Sequence, residues 1–420
     1  MILPLRYLVA SLWCCVAAVT AQEKQAAIVL PAEFELPSPP VADAENGILL
    51  FLKQFGVLPD GARTKRYDDS LEALKAGKPL PDPQSLDDFR RTYDLGKQHL
   101  KPPLLFHGDS FPGWRTAPLR RLFRATEILA RHALLEGDRR SADRYQTAAL
   151  SWSKLLRNAH PTDYEALISQ YGWRATINLL LEDWQGHQNQ QERFDELLPV
   201  FEANWIGIEE LVAIYKADVR WWANQGGWRA LLHQIEKNPT LGWELNDRFK
   251  DVTLADLLSL PYDPEADLTR TFAQASDRIR VLRQGIPAVK WPGLTRPVVN
   301  RTIEDYRKLP NGLGDLMFEQ PRNPKIEPPC DHLCRQRLLD ACLIWLKRER
   351  DGLNVTADSF KELTDPISGE PLDIDLERRV IRCRGWDGKA APLNLEKLKP
   401  GFHDEQDDVL LVVPRWKDRK

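Results

Sequence analysis

Cysteine is scarce in this 420-residue chain, and two of its six, Cys14 and Cys15, fall in an apolar stretch near the start. Charge of one sign is lacking as well. The formal net charge is -3 and the isoelectric point near 6.3, so there is no electrostatic case for a nucleic-acid partner or an anionic membrane surface. Beyond the first apolar stretch, no run is long enough to span a bilayer. Also missing are a His-Glu-x-x-His pair, a phosphate-binding glycine loop and a dinucleotide glycine motif, which removes the usual signals for a zinc peptidase, a nucleotide hydrolase or a dehydrogenase.

What the chain does have begins with a leader. Arg6 ends a short n-region, Leu8 to Val19 is apolar, and Val19-Thr20-Ala21 offers the small residues that a signal peptidase requires. The expectation is a signal peptide over residues 1–21, export to the periplasm or cell surface, and a soluble mature protein starting at Gln22. Cys14 and Cys15 lack the small residue that a lipobox places before its cysteine, so no lipid anchor is expected. In an oxidising compartment the even number of mature cysteines, Cys330, Cys334, Cys342 and Cys383, suggests pairing. The expected bridge joins Cys342 on a helix to Cys383 on a strand, because Cys330 and Cys334 sit one helical turn apart, where a bridge is strained.

Residues 22–43 are Pro-rich and aperiodic, as in Leu36-Pro37-Ser38-Pro39-Pro40, and read as a linker. Residues 44–284 carry helical periodicity, first at Ala44 to Phe55 and strongly from Thr116. Thr116 is placed to cap a helix with Pro118 in its first turn and Leu119, Leu122, Leu129 and Ala133 on one face. That helix should end at Gly137-Asp138, and the next should start near Ser141 with Ala142, Tyr145, Ala149, Trp152 and Leu156 aligned. The pair resembles a tetratricopeptide hairpin, in which small residues allow close approach. Further helices are expected at Tyr164 to Leu181, Gln191 to Tyr215, Trp221 to Ile235, Leu254 to Leu260, Pro264 to Arg283 and Arg296 to Leu309, with no fixed repeat length. Residues 285–329, including the loop-like run Leu309 to Gly314, read as a Pro/Gly-rich connection.

Residues 330–420 form a distinct module. A helix over Asp331 to Arg350 is followed by Asp365-Pro366-Ile367-Ser368-Gly369-Glu370-Pro371-Leu372, a strand at Val380-Ile381, Trp386-Asp387-Gly388-Lys389, an acidic knot at Asp404 to Asp408, and a strand over Val409 to Val413. This order resembles the globular part of type II secretion major pseudopilins, and more closely the C-terminal module of uncharacterised secreted bacterial proteins with a helical region before it. The expected fold is therefore mainly α: a helical layer or irregular solenoid followed by a small α+β module. Asp365-Pro366 and Gly369 favour a tight reversal, a structural role.

The resemblance implies a calcium site at Asp387, Asp404, Asp407 and Asp408, since calcium takes carboxylate and main-chain oxygens. Gly401-Phe402-His403 and Glu405-Gln406 stand where the pseudopilin loop is rich in glycine, and a solvated acidic turn is the alternative. The chain begins with an ordinary signal peptide instead of a prepilin motif, so it is not expected to be a pilus subunit. Trp221, Trp222, Trp228 and Trp243 surround Asn224-Gln225-Gly226-Gly227, a composition suited to stacking on sugar rings or equally to core packing. His107-Gly108-Asp109-Ser110-Phe111 is similar to the nucleophile block of a hydrolase family, but the Asp-x-x-His that family needs does not occur. Cys330-Asp331-His332-Leu333-Cys334 matches no paired zinc spacing.

The composite expectation is a non-catalytic envelope protein, with a helical scaffold binding a polypeptide of the envelope or secretion apparatus and no cofactor other than calcium. The alternative is a glycan-binding protein or glycan-acting hydrolase that recognises cell wall through a Trp-lined groove. Its acid and base would be drawn from Asp183, Glu202, Glu209 and Glu210.

Overall fold

The computed structural model describes residues 30–36, 41–55, 63–106, 112–224, 226–237, 252–291, 301–319, 328–384, 399–405 and 408–416. Outside these fall the expected leader, His107 to Phe111, Trp243, Asp387 and Asp407. Among the described residues there are fourteen α-helices and one four-stranded sheet, so the chain is mainly helical with a small α+β region at its end. No described helix is long and apolar enough to cross a membrane.

The first five helices, α1 (Gly47–Phe55), α2 (Arg63–Lys75), α3 (Ser85–His99), α4 (Pro112–Leu135) and α5 (Arg139–Arg157), share a core built on Phe51, Phe89, Leu119, Leu122 and Trp152. The turn between α4 and α5 is the expected one. Gly137 takes φ 76° where a side chain would be strained, and the Asp138 carboxylate caps α5 by accepting from the Ser141 amide at 3.0 Å. The start of α4 differs from expectation. It begins at Pro112, so Thr116 is no cap and Pro118 lies inside the helix.

Helix α6 (Asp163–Gly186) packs on both α4 and α5, which makes a three-helix arrangement instead of a stack of isolated hairpins. Close approach depends on Gly172, where an added Cβ would sit 2.3 Å from the Phe123 ring of α4. The expected single helix over Gln191 to Tyr215 is two, α7 (Gln190–Ala203) and α8 (Ile208–Asn224). Helix α9 (Gly227–Lys237) follows α8 across Gly226 and Gly227, both at positive φ.

Helices α10 (Leu254–Ser259), α11 (Pro264–Arg283), α12 (Ile303–Arg307) and α13 (Gly312–Glu319) complete the middle of the chain. Part of the expected connection is thus helical. Gly312 permits it, because a Cβ there would lie 2.0 Å from the Tyr306 carbonyl oxygen. Part of the expected linker is docked too: Phe34 is fully buried and stacks on Phe272 of α11 with centroids 5.3 Å apart.

The last unit is α14 (Pro328–Arg350) and strands β1 (Asp373–Asp375), β2 (Val380–Cys383), β3 (Gly401–Glu405) and β4 (Asp408–Val412), antiparallel in the order β1-β2-β4-β3. Strand alternation turns Ile374, Ile381, Cys383, Phe402, Val409 and Leu411 toward α14. The same core takes in Trp173, Ile177 and Trp184 of α6 and Phe194 and Phe201 of α7. The sheet and the helical layer therefore share one interior. At its β3 edge, the Asn178 side chain of α6 accepts from the Phe402 amide at 2.7 Å and donates to the Phe402 carbonyl at 3.1 Å. The segment after α11 joins the module as well, since the amides of Ala288 and Val289 donate to the carbonyls of Pro366 and Ile367.

Candidate functional site

A cleft of about 500 Å³ opens where α14, the β1–β2 turn and the exit of β4 meet, lined by Glu349, Gly352, Leu353, Leu376, Arg379 and Trp416 among others. Each wall has a local cause. Helix α14 ends in a glycine cap: the Leu353 amide donates to the Arg348 carbonyl and the Gly352 amide to the Glu349 carbonyl, with Gly352 at φ 73°. The apolar residue after such a cap usually folds back on the helix, yet Leu353 is 53 % exposed. Opposite it, the Asp375 carboxylate accepts from the Arg378 amide at 2.9 Å and closes the turn that carries Leu376, 39 % exposed.

Arg379 clasps the three elements. Its guanidinium donates to both Glu349 carboxylate oxygens and to the Val413 and Pro414 carbonyls, and it lies 5.0 Å over the Trp345 ring. Its backbone is held at φ 61°, a costly conformation for a side chain of this size that these contacts offset. The floor is Trp416, edge-on to Trp184 at 4.9 Å and to Phe194 at 5.9 Å. Arg415 next to it is exposed, and its main chain is tied to Gln185 and Gln190. Four large apolar side chains among the described residues are notably exposed, Leu135, Ile208, Leu353 and Leu376. Two of the four line this cleft.

The acidic knot is used differently from expectation. The Asp404 carboxylate sits between Arg335 of α14 at 2.6 Å and Arg174 of α6 at 2.5 Å, while fully buried Asp408 faces Arg382 at 3.4 Å. In the β3–β4 register Asp404 is opposite Val409 and Glu405 opposite Asp408, so Asp404 and Asp408 leave the sheet on opposite faces. The fold does not bring these two carboxylates to one ion. With Asp387 and Asp407 outside the described residues, no part of the expected calcium set is seen assembled.

The described tryptophans of the glycan alternative are used in packing, and its carboxylates in separate ion pairs. Trp222 is buried, and Trp221 and Trp228 pack on the core formed by α9, α10, α12 and α13. Asp183 pairs with Arg193 and Arg139, Glu202 with Lys347, Glu209 with Arg283, and Glu210 faces Arg157 at 3.5 Å. Each of the four carboxylates has its own cations. His332 is buried; that burial, with Arg157 and Arg335 nearby, holds its imidazole well below the ordinary range and therefore neutral.

The four cysteines among the described residues, Cys330, Cys334, Cys342 and Cys383, are all buried and unbridged. The expected Cys342–Cys383 pairing is not the one the fold presents. Cys383 lies against Cys334, and the donor atoms of Cys334, Cys383 and Asp365 are all within 4.8 Å of one another. Cys342 is two turns, about 12 Å in helical rise, further along α14 than the cysteine that Cys383 lies against. The expectation of a helix cysteine against a strand cysteine is met in kind, with Cys334 in the place expected for Cys342.

Comparison of the chain with family models, with curated proteins and with solved structures gives no match.

Proposed function

We propose that the protein is an exported, non-catalytic binding protein that recognises a polypeptide of the cell envelope through the cleft between α14 and the β1–β2 turn. The observation that carries this reading is the concentration of exposed leucine there, on a rim whose positions are fixed by the Arg379 clasp. A rigid apolar slot with an exposed arginine at its edge suits an extended peptide bearing an apolar anchor and an acidic group. The leader supports export, and the order of elements in residues 330–420, which resembles the pseudopilin-like module of secreted proteins, supports an envelope partner.

The test is site-specific photocross-linking in cells, with the reactive residue at position 353 or 376 and a control at Leu135, which is 49 % exposed on α4. Discrete adducts from the two cleft positions and not from the control are expected, and Leu376→Glu should abolish the adducts formed from position 353. Identical adducts from all three positions, or none from the cleft, would refute the reading.

A further inference from the structure

Cys334 and Cys383 are two thiols that the fold brings together away from the cleft. One projects from the second turn of α14 and the other from the inner face of β2. Both are fully buried, and the Cys383 sulphur reaches the Cys334 carbonyl oxygen at 3.9 Å. Asp365 closes the third side. It is 2 % exposed and held by the reversal it forms, its carboxylate accepting from the Ile367 amide at 2.8 Å and its carbonyl from the Gly369 amide.

Two thiols and a carboxylate invite a metal reading, but a closed structural zinc site takes four protein ligands. Among the described residues this group offers three, sealed from the water that would supply a fourth. We propose that Cys334 and Cys383 form a disulfide that ties α14 to the sheet. In the step, the thiolate of one cysteine attacks a sulphur of a small disulfide donor to give a mixed disulfide. The second thiolate then displaces the donor thiol, so that two protons and two electrons leave the pair and the donor is reduced to two thiols. Burial, above all, raises the Cys383 thiol well above its usual range, and the neighbouring Cys334 thiol and Asp365 add to this. The bridge therefore forms during folding, before the pair is enclosed, and resists exchange afterwards.

The full chain is refolded from denaturant with oxidised and reduced glutathione, then unfolded again without reduction so that every free thiol is accessible, alkylated in that state, and mapped by mass spectrometry. Cys334 and Cys383 should be protected together, with Cys330 and Cys342 alkylated. Cys334→Ser should expose Cys383 to the reagent, whereas Cys342→Ser should leave the bridge intact. In the unsubstituted chain, oxidation should raise the thermal midpoint, a readout that does not depend on the serine variants folding. Alkylation of all four cysteines, a bridge that includes Cys330 or Cys342, or protection removed by a chelator instead of a reductant would overturn the assignment.

Discussion

Asp267 is a carboxyl with no exposure at all, facing the Tyr262 hydroxyl at 3.2 Å, and that hydroxyl in turn accepts from the Trp228 amide. Burial pushes its pKa up to about 6 against the opposing effect of Tyr262 and Arg270, and burial does the same to Asp340 and Asp365. An acid whose folded pKa lies above its unfolded value binds more protons when folded, so its contribution falls as pH rises from about 4 to about 6 and is flat above that. Asp267→Asn keeps the size of the group and its hydrogen bond to Tyr262 while removing the titration. The variant should lose less stability than the parent between about pH 4.5 and 6.5, as read from denaturant midpoints at the two pH values. Equal losses in both proteins would show that Asp267 is ionised throughout.

Among the elements, the most consequential contact is the ion bridge that Asp404 makes between α6, α14 and β3. Arg335 is buried, and its guanidinium pairs with Asp331 at 2.9 Å and with Asp404 at 2.6 Å. Asp404→Ala removes one of its two counter-charges, and because the Asp404 carboxylate is itself about a third exposed the loss should be about 1–2 kcal/mol, measured by chemical denaturation. The elements themselves were unevenly legible. Pro264 to Arg283 is a helix over the expected span because Asp263 caps it, Pro264 suits its first turn and Arg280 and Arg283 close it. Helix α2 escaped notice because Tyr67, Leu71 and Leu74 form only a narrow stripe in a highly charged segment. Strand β3 was hidden for another reason. Gly-Phe-His-Asp-Glu reads as an acidic turn, and only its pairing with β4 and the arginines of two distant helices make it a strand. The cleft was not legible at all, since it is made of residues that follow element ends, and the one local sign was an apolar residue after the Gly352 cap.

For the whole molecule, the shared interior matters more than the division of the sequence into a helical part and a module. Trp173, Trp184 and Phe194 come from the first and Leu338, Trp345, Ile381 and Leu411 from the second, and they fill one core. A chain ending at residue 327 would leave those three aromatic side chains facing water. It should bind a hydrophobic dye strongly and lose near-ultraviolet circular dichroism while keeping most of its helical signal. A truncated chain with native-like aromatic signals would show instead that the helical layer is complete by itself. The amide of Asn178 has a bearing on assembly as well. By answering both the donor and the acceptor of Phe402 it stands in for one residue of a fifth strand, so at that point the β3 edge is met from within the chain. Addition of a strand from another molecule along β3 would have to displace this amide first.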